Sequence, residues 1–187
     1  MSEPAPPALR EKVQLMSASE IERTLVRLAH QIVEKNNGAE RLALIGIRRR
    51  GEPLARRLAA LAARIENHPV PVGTLDITLY RDDLSLLDVK PVIKPSQIDF
   101  PIHDLNVILV DDVLYTGRTI RAALDALFDH GRPRRVQLCA LIDRGHRELP
   151  IEASFVGKYV QTTDREIVEV KLKETDGVEK VLLVEPV

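Results

Sequence analysis

The sequence predicts an α/β protein built on a mainly parallel central sheet flanked by helices. Continuously apolar runs of strand length, such as Leu42–Ile47, alternate with segments whose apolar residues recur at helical spacing, such as Ile21–Ile32. Uninterrupted apolar strands are typical of parallel strands that are covered on both faces. The length of 187 residues, with 44% hydrophobic and 29% charged residues, suits a single globular domain over residues 1–187.

The first half of the chain contains two predicted helices and two predicted strands. The Pro-rich residues 1–12 are expected to form a disordered tail. A first helix is expected to begin at Ser17 or Ser19, because Ser17-Ala18-Ser19-Glu20 fits a capping box, and to end at Asn36-Asn37-Gly38. A strand from Leu42 to Ile47, a helix from Leu54 to Ile65 and a strand from Val70 to Leu79 are expected to follow in that order.

The second half begins with a long segment, residues 80–106, that holds three prolines and five aspartates and has no sustained period. A loop of this length inside a compact domain is typical of a functional lid, and we expect a flexible lid here. The elements expected after it are a strand at Val107–Val110, a helix from Ile120 to Phe128, and strands at Val136–Ile142, Ser154–Val160, Ile167–Leu172 and Val181–Val184, the last two joined by a turn at Asp176-Gly177.

Composition narrows the class of protein. Aromatic residues make up 3% and Trp is absent, so nucleic-acid binding by base stacking is not favoured. The net charge of -1 means that any basic surface must be local. The one cysteine, Cys139, lies in an apolar strand and is expected to be a buried, inert thiol. No apolar stretch could span a bilayer and the N-terminus lacks the apolar core of a signal peptide, so a cytoplasmic location is expected.

The segment from Val107 to Thr119 is the most informative part of the sequence. Four aliphatic residues end abruptly in Asp111 and Asp112, and a short loop with Gly117 leads into a helix. Ligands of open α/β sheets bind at the carboxyl ends of strands, and a helix N-terminus offers unpaired N–H groups to a phosphate. Adjacent carboxylates can accept hydrogen bonds from two vicinal hydroxyls, as on a ribose. The pattern therefore favours a sugar-phosphate site over an ordinary capped helix.

These residues resemble the ribose-5-phosphate loop of the type I phosphoribosyltransferases, in which two acids are followed after a few residues by Thr-Gly and a further hydroxyl. The segments from Asp76 to Leu84 and from Asp143 to Pro150 resemble those of the pyrimidine operon regulatory proteins, and the similarity extends over nearly the whole chain. The resemblance implies the type I phosphoribosyltransferase fold, with a small hood and a lid over the site. It also implies uracil phosphoribosyltransferase activity combined with messenger-RNA binding.

The resemblance further implies that the loop binds phosphoribosyl pyrophosphate (PRPP). Asp111 and Asp112 would bind the ribose hydroxyls and would be catalytic residues together with Arg49. The residues expected to surround the sugar and its 5′-phosphate are Val113, Leu114, Tyr115, Thr116, Gly117, Arg118 and Thr119. Mg²⁺ would be held mainly by PRPP, with Asp111 and Asp112 as the candidate protein ligands. No protein cage for a metal is expected, because the five histidines lack ligand spacing.

The segment from Gly46 to Gly51 lies between a predicted strand and a predicted helix. Its glycine spacing invites a P-loop interpretation, but Glu52-Pro53 stands where a P-loop requires Lys and Ser or Thr. The segment instead resembles the pyrophosphate loop of the family, in which backbone amides with Arg49 and Arg48 would hold the pyrophosphate. A guanidinium group suits this role because its fork matches phosphate oxygens in pairs. A solvated basic turn is the alternative.

The resemblance also implies a lid and a hood. Arg81, Asp82 and Asp83 are candidates for contacting the pyrophosphate or its magnesium ion, with an exposed charge cluster as the alternative. Uracil would be recognised by a hood built from Arg144 and the stretch from Phe155 to Val160, which includes Lys158. Members that use hypoxanthine and guanine have an acid immediately before the Thr-Gly, whereas this chain has Tyr115. A pyrimidine substrate is therefore expected, and a purine or orotate enzyme is disfavoured.

Basic residues on the first predicted helix are the candidates for RNA contact. Arg23, Arg27 and His30 fall on the face away from the apolar stripe. Further positive charge is supplied by Arg132, Arg134, Arg135, Arg144, Arg147 and Lys158. Such charges are usually solvated surface, and only the family resemblance makes the helix residues and Arg147 candidates for binding the messenger-RNA leader of pyrimidine genes.

Two functions consequently stay open at the level of the sequence. In the first, the protein binds this RNA when UMP occupies the nucleotide site, and so regulates transcription by attenuation as well as forming UMP. In the second, it is a pyrimidine-salvage enzyme without RNA binding. The resemblance implies a homodimer or a larger homo-oligomer in either case.

Overall fold

The structure, a computed structural model, describes residues 8–83 and 93–187. Its strands are β1 (Leu9–Ser17), β2 (Leu42–Ile47), β3 (Val72–Leu75), β4 (Asn106–Leu114), β5 (Arg135–Asp143), β6 (Phe155–Tyr159), β7 (Ile167–Lys171) and β8 (Lys180–Pro186). Its helices are α1 (Ala18–Lys35), α2 (Gly51–Glu66), α3 (Arg118–Phe128) and the single turn α4 (Lys173–Asp176), with a 3₁₀ turn at Thr78–Tyr80.

Five strands form the central sheet in the order β3-β2-β4-β5-β6, and every neighbouring pair is parallel. Successive residues of β4 point to opposite faces, as strand geometry requires. Ile108 and Val110 pack with α1 and α2 in one core cluster, whereas Val107 and Leu109 pack with α3 in the other. The predicted class, a mainly parallel sheet flanked by helices, is therefore confirmed.

A second, smaller sheet joins the two ends of the chain in the order β1-β8-β7, and its pairs are antiparallel. It carries α4 and is tied to α2 by ion pairs from Arg57 to Glu174 and Glu179. Arg50, which immediately precedes α2, forms a two-bond pair with Asp176 (Nε–Oδ2 3.1 Å, Nη2–Oδ1 2.8 Å). The small sheet is therefore fastened beside the beginning of α2.

Several boundaries differ from those predicted. Residues 9–12, expected in the tail, belong to β1, whereas residues 1–7 lie outside the described part of the chain. The strand expected at 70–79 is confined to Val72–Leu75 and is followed by the 3₁₀ turn. The turn expected at Asp176-Gly177 is the end of α4, and Gly177 (φ 71°) takes the left-handed conformation that ends this helix.

Other expectations are confirmed in detail. The capping box at the start of α1 forms as predicted, with the Glu20 amide donating to Ser17 Oγ (3.3 Å) and the Ser17 amide donating to Glu20 Oε2 (2.8 Å). Cys139 is buried in β5, and burial raises the pKa of its thiol to about 12. Among the described residues, no helix is long and apolar enough to cross a membrane.

Candidate functional site

Parallel strands bring the candidate residues to one edge of the central sheet. The carboxyl ends of β2, β3, β4 and β5 all lie at this edge, because these strands run in the same direction. The loop after Ile47, the residues after Leu75, the acids of β4 and Asp143 of β5 therefore meet there. This is the position at which open α/β sheets bind their ligands.

Asp111 and Asp112 are the last polar residues of β4. Asp111 is 7% exposed, whereas Asp112 is half-buried. The Asp112 amide donates to Asp111 Oδ1 (2.9 Å), and the Val113 amide donates to Asp112 Oδ1 (3.0 Å). Burial, and then the neighbouring Asp112 carboxylate, raise the pKa of Asp111 well above its ordinary value. The pair consequently favours a ligand that brings hydroxyl groups or a cation to it.

The loop from Tyr115 to Gly117 leads directly into α3. Gly117 has φ 94° and precedes the first residue of the helix, so the loop approaches the helix N-terminus through a backbone conformation that favours glycine. The amides of Glu148 and Leu149 donate to the Thr116 carbonyl oxygen (2.9 and 3.2 Å), which fixes the loop against the segment after β5. The Arg118 amide donates to Thr116 Oγ1 (3.3 Å), so this hydroxyl lies at the N-terminus of α3, a position that suits a phosphate.

Tyr115 is held by three side chains that follow β5. The Arg144 guanidinium lies 4.0 Å from the centroid of its ring, and His146 makes an edge contact at 5.7 Å between ring centroids. Arg147 donates from Nη1 to the Tyr115 carbonyl oxygen (2.8 Å) and from Nη2 to Asp143 Oδ2 (2.5 Å). Arg147, predicted to contact RNA, therefore lies away from the α1 face and joins the loop Tyr115–Gly117 to β5.

The expected pyrophosphate loop, Arg48 to Arg50, is built by close backbone packing. A Cβ atom added to Gly46 would lie closer than 3.0 Å to the backbone of Gly51, and one added to Gly51 would lie as close to the Val110 carbonyl oxygen. The glycines therefore allow the loop to rest against β4 next to Asp111. Arg48 donates to the Pro95 carbonyl oxygen (2.9 Å), whereas the Arg49 side chain is exposed.

Arg50 was not singled out from the sequence, and its role is to join this loop to the small sheet. Its hydrogen bonds lower the pKa of Asp176, which also accepts from the Leu172 amide (2.9 Å). The sequence shows three consecutive arginines but does not reveal which of them forms an ion pair, because the partner, Asp176, lies 126 residues further along the chain.

Only the two ends of the expected lid are described. Arg81 pairs with Asp83, and Asp82 accepts from Nη1 of Arg118, the first residue of α3 (2.6 Å). Residues 84–92 lie outside the described residues, so the lid itself remains a prediction. The returning end is packed: Gln97 pairs with Thr74 of β3, and Ile102 is 1% exposed. At this end of the expected lid, Ile102 therefore packs into the core and Asn106 begins β4.

A recess of about 950 Å³ lies at the ends of β5 and β6 beside Tyr115. It is lined by Asp143, Arg144, Gly145, His146, Arg147, Tyr159, Val160, Gln161 and Thr162. Arg144, 6% exposed, donates to Thr162 Oγ1 and to the Thr163 carbonyl oxygen, both at 3.1 Å. The residues that line this recess therefore come mainly from the segments after β5 and after β6. The predicted hood stretch Phe155–Val160 is mostly strand β6 itself, and only its last two residues line the recess.

Lys158 is not brought to this site. Its Nζ donates to the Leu15 carbonyl oxygen (2.9 Å), and it lines a cleft with Arg23 and Arg27 of α1. The assignment of Lys158 to substrate binding is therefore corrected, because the side chain projects towards α1 rather than towards the end of the sheet. His146, absent from the predicted site, takes a place there instead.

The predicted RNA candidates of α1 are exposed on one side of the helix. Arg27 donates to the Gly157 carbonyl oxygen (2.5 Å) and lies with Arg23 over β6, whereas His30 lines the groove between α1 and α2. These three side chains lie apart from the loops at the carboxyl edge.

The donor set available to a metal ion is limited to oxygen. Within residues 8–83 and 93–187, no group of three or more His, Cys, Asp or Glu side chains converges as metal ligands. Asp111 and Asp112 offer carboxylate oxygens, which suit a hard cation such as Mg²⁺ when its other ligands are substrate oxygens and water. These residues fit an ion that arrives with its substrate.

Known proteins are similar to this chain in sequence and in fold. A model of the phosphoribosyl transferase domain matches residues 14–175. The bifunctional protein PyrR of Acetivibrio thermocellus is 60% identical over 168 residues, covering 90% of this chain and 91% of that protein. The bifunctional protein PyrR of Deinococcus radiodurans is 57% identical over 175 residues, covering 94% and 96%.

Solved structures with lower identity share the fold. The hypoxanthine phosphoribosyltransferase of Trypanosoma cruzi in a ternary substrates complex has a TM-score of 0.73 at 19% identity, covering 94% of this chain and 96% of that chain. A hypoxanthine-guanine phosphoribosyltransferase from Bacillus anthracis has a TM-score of 0.67 at 23% identity, covering 95% and 99%.

The fold and the carboxyl-edge site define a protein of the type I phosphoribosyltransferase class. Within that class, the chain belongs to the family of the bifunctional PyrR proteins. The resemblance noted in the sequence is thereby confirmed, together with the fold that it implied.

Proposed function

We propose that the protein transfers the ribose-5-phosphate of PRPP to N1 of uracil, giving UMP and pyrophosphate, and that it also regulates pyrimidine genes by binding their messenger RNA. The observation that carries the first activity is the meeting of three parts at one sheet edge. These parts are the acids Asp111 and Asp112, the loop Tyr115–Thr119 at the N-terminus of α3, and the loop Arg48–Arg50.

In the proposed reaction, each part of the site stabilises one part of PRPP. The bond between the anomeric carbon and the pyrophosphate oxygen breaks, so positive charge develops on the sugar and negative charge on the leaving group. Asp111 and Asp112 would orient the ribose through its hydroxyls, while Arg48, Arg49 and the loop amides would stabilise the departing pyrophosphate. Mg²⁺, when bound with PRPP, would neutralise phosphate charge.

The recess beside Tyr115 is where we place uracil. Arg144 is buried between Tyr115 and Thr162, so it fixes the wall of this recess. Tyr115 presents an aromatic ring where a purine enzyme would have a carboxylate. The arrangement favours a pyrimidine.

The first experiment is therefore a substrate panel. Formation of nucleoside monophosphate from PRPP and Mg²⁺ is measured with uracil, hypoxanthine and orotate in parallel. We expect turnover with uracil and at least a hundredfold less with the other two bases, since a mismatched polar base leaves groups of the recess unpaired. Comparable turnover of hypoxanthine would refute the pyrimidine assignment, and binding of UMP without turnover of any base would indicate a nucleotide sensor.

The regulatory activity is supported by the close relatives, which are named bifunctional. We propose that Arg23, Arg27 and His30 contact the RNA leader when UMP occupies the carboxyl-edge site, because their exposed face is separate from that site. A salvage enzyme without RNA binding is the less favoured alternative. We also propose a cytoplasmic location and assembly into a homodimer or a larger homo-oligomer, as the family resemblance implies.

Replacing Arg27 with Gln should separate the two activities. We expect affinity for the leader RNA in the presence of UMP to fall roughly tenfold, because one cation that neutralises a phosphate is lost. Uracil turnover should stay within about twofold of the wild type, since Arg27 lies outside the site. Electrophoretic mobility shifts and UMP assays on the same preparation measure both. Equal loss of both activities would show that Arg27 acts through the packing of α1 on β6.

A further inference from the structure

A basic recess lies at the opposite edge of the central sheet, where β2, β4 and β5 begin. It has a volume of about 260 Å³ and is lined by Lys35, Asn36, Asn37, Gly38, Glu40, Arg41, Asn106, Arg134 and Arg135. Four cationic side chains thus surround it with one carboxylate. We call it the amino-edge recess. In a chain of net charge -1, this is a concentrated positive surface.

Backbone hydrogen bonds between its loops hold the amino-edge recess together. The Asn106 amide donates to the Arg41 carbonyl oxygen (2.8 Å), and the Arg134 amide donates to the Leu105 carbonyl oxygen (2.9 Å). The end of α1 is closed by Asn36, whose Nδ2 donates to the Ile32 carbonyl oxygen (2.9 Å). The loops that carry the cations are therefore fixed relative to one another.

The charges of the amino-edge recess are available to a ligand. Elsewhere, Arg50, Arg57 and Arg118 are each engaged in ion pairs. In the part of the chain that the structure describes, none of the four cations of the recess has such a partner, and Lys35, Arg41, Arg134 and Arg135 are all exposed. An anionic ligand would meet four positive charges and the single carboxylate of Glu40, and Lys35 also lies over the Phe155 ring (5.4 Å from Nζ to the ring centroid).

The amino-edge recess is small enough that we expect it to bind one group of a polymeric ligand rather than a whole small molecule. Small-molecule pockets usually enclose about 300–1,000 Å³ and are mostly apolar. A recess of about 260 Å³ with a polar lining is better matched to a phosphate group that enters from outside. Exposed arginines that accept phosphate oxygens in pairs suit that group.

The amino-edge recess is also continuous with the candidate RNA face of α1. Lys35 lines both this recess and a neighbouring one beside β6, and Arg27 lines the latter together with the cleft that holds Arg23. Eight residues of helix separate Arg27 from Lys35, a distance of about 12 Å. A polyanion lying along this face of α1 would therefore pass from Arg27 to Lys35 and the recess, with Gln31 and the carboxylate of Glu34 between the two cations.

We propose that the amino-edge recess binds backbone phosphates of the RNA whose first contacts are on α1; this inference rests on the RNA-binding part of the proposed function. Five residues of β4 separate Asn106 from Asp111, a distance of about 17 Å. The recess therefore contributes affinity for RNA and does not touch the transfer site.

The test compares RNA affinity in variants of equal charge change. The probe is the fluorescently labelled leader transcript of the pyrimidine genes, and binding is followed by anisotropy at several salt concentrations with UMP present. The variants are Arg134→Gln/Arg135→Gln and, as an independent pair, Lys35→Gln/Arg41→Gln. The matched control is Arg10→Gln/Arg121→Gln, which removes two exposed arginines from β1 and α3, where surface ion pairs contribute little.

Both recess variants are expected to bind the transcript at least roughly tenfold more weakly than the wild type. The slope of log K against log salt concentration should become shallower by about 1.4, which is about 0.7 for each of the two lost phosphate contacts. Uracil turnover and the control variant should match the wild type. If both recess variants bind RNA as the control does, the inference is overturned while RNA binding itself stands.

Two further outcomes also decide against the inference. If the wild type does not bind the transcript, the regulatory part of the proposed function fails and the inference fails with it. Calorimetric titration with inorganic pyrophosphate and with UMP, in the absence of RNA, tests whether the recess binds the phosphate of a small molecule instead of an RNA phosphate. A second equivalent bound per chain by the wild type, and lost in both recess variants, would make the recess a small-anion site and overturn its assignment to RNA.

Discussion

Replacing Asp112 with Asn is expected to lower kcat/KM for UMP formation roughly 30–150-fold while the protein stays folded. The half-buried Asp112 is the more accessible member of the acid pair at the end of β4. A hydrogen bond from a ribose hydroxyl to a charged acceptor contributes about 2–3 kcal/mol in such a setting, and each 1.36 kcal/mol changes the rate about tenfold. Steady-state kinetics with PRPP as the varied substrate measure the loss.

Asp111→Asn is the matched control for this prediction. Burial and the neighbouring Asp112 carboxylate raise the pKa of Asp111, so its ionised form is disfavoured in the folded protein. A carboxyl group whose folded pKa is raised stabilises the fold only while it stays protonated, and that stability is lost as pH rises through the folded pKa. At neutral pH, Asp111→Asn should therefore leave the free energy of unfolding equal or higher.

The activity of Asp111→Asn should also fall less than that of Asp112→Asn, because asparagine can still accept the hydrogen bond from the Asp112 amide. Unchanged turnover in Asp112→Asn would exclude this residue from binding the ribose. A larger loss in Asp111→Asn than in Asp112→Asn would show instead that the buried acid becomes ionised when PRPP binds.

The central sheet and its site could be predicted because their signals are local. Each buried strand is a continuous apolar run, and Asp111 and Asp112 interrupt such a run immediately before a helix. Once the strands are parallel, their polar ends must meet at one edge. The loops that follow β2 and β4 and the residues that follow β3 could therefore be placed at one site from the sequence and the family resemblance.

Strand β1 of the small sheet could not be predicted in the same way, because its pairing with β8 is non-local, whereas β7 and β8 were predicted as neighbouring strands. Leu9 of β1 pairs with Pro186 of β8, and most residues of β1 are exposed, so the segment carries little apolar pattern. The Pro-rich residues before it made a disordered tail the simpler interpretation. That interpretation missed the third strand of the sheet, β1, which pairs with β8.

Side-chain direction was the other source of error. Lys158 lies in β6, where successive residues point to opposite faces, and sequence position alone did not show that its amine reaches Leu15. Arg147 was grouped with basic surface residues, although its guanidinium is occupied by Asp143, Ile151 and Tyr115. In both cases the number of charges was known from the sequence, whereas their partners depended on the tertiary structure.

Gly51→Ala is expected to destabilise the protein by roughly 3 kcal/mol or more, which for a chain of this length lowers Tm by about 6–12 °C. Gly51 begins α2, and its added Cβ would lie closer than 3.0 Å to the Val110 carbonyl oxygen and 3.4 Å from Asp111 Cα. Because the obstructing atoms belong to the backbone, either β4 or the first turn of α2 must move. UMP formation should therefore fall together with stability.

Gly177→Ala is the matched comparison, since it tests backbone conformation without crowding. Gly177 has φ 71° and nothing within 4 Å of an added Cβ, so the substitution should cost only about 1 kcal/mol and leave turnover unchanged. Thermal unfolding and UMP assays on both variants measure the contrast. If Gly51→Ala unfolds within about 1 kcal/mol of the wild type, the pyrophosphate loop has room to move away from β4, and the close packing at Gly51 does not position the acids of the site.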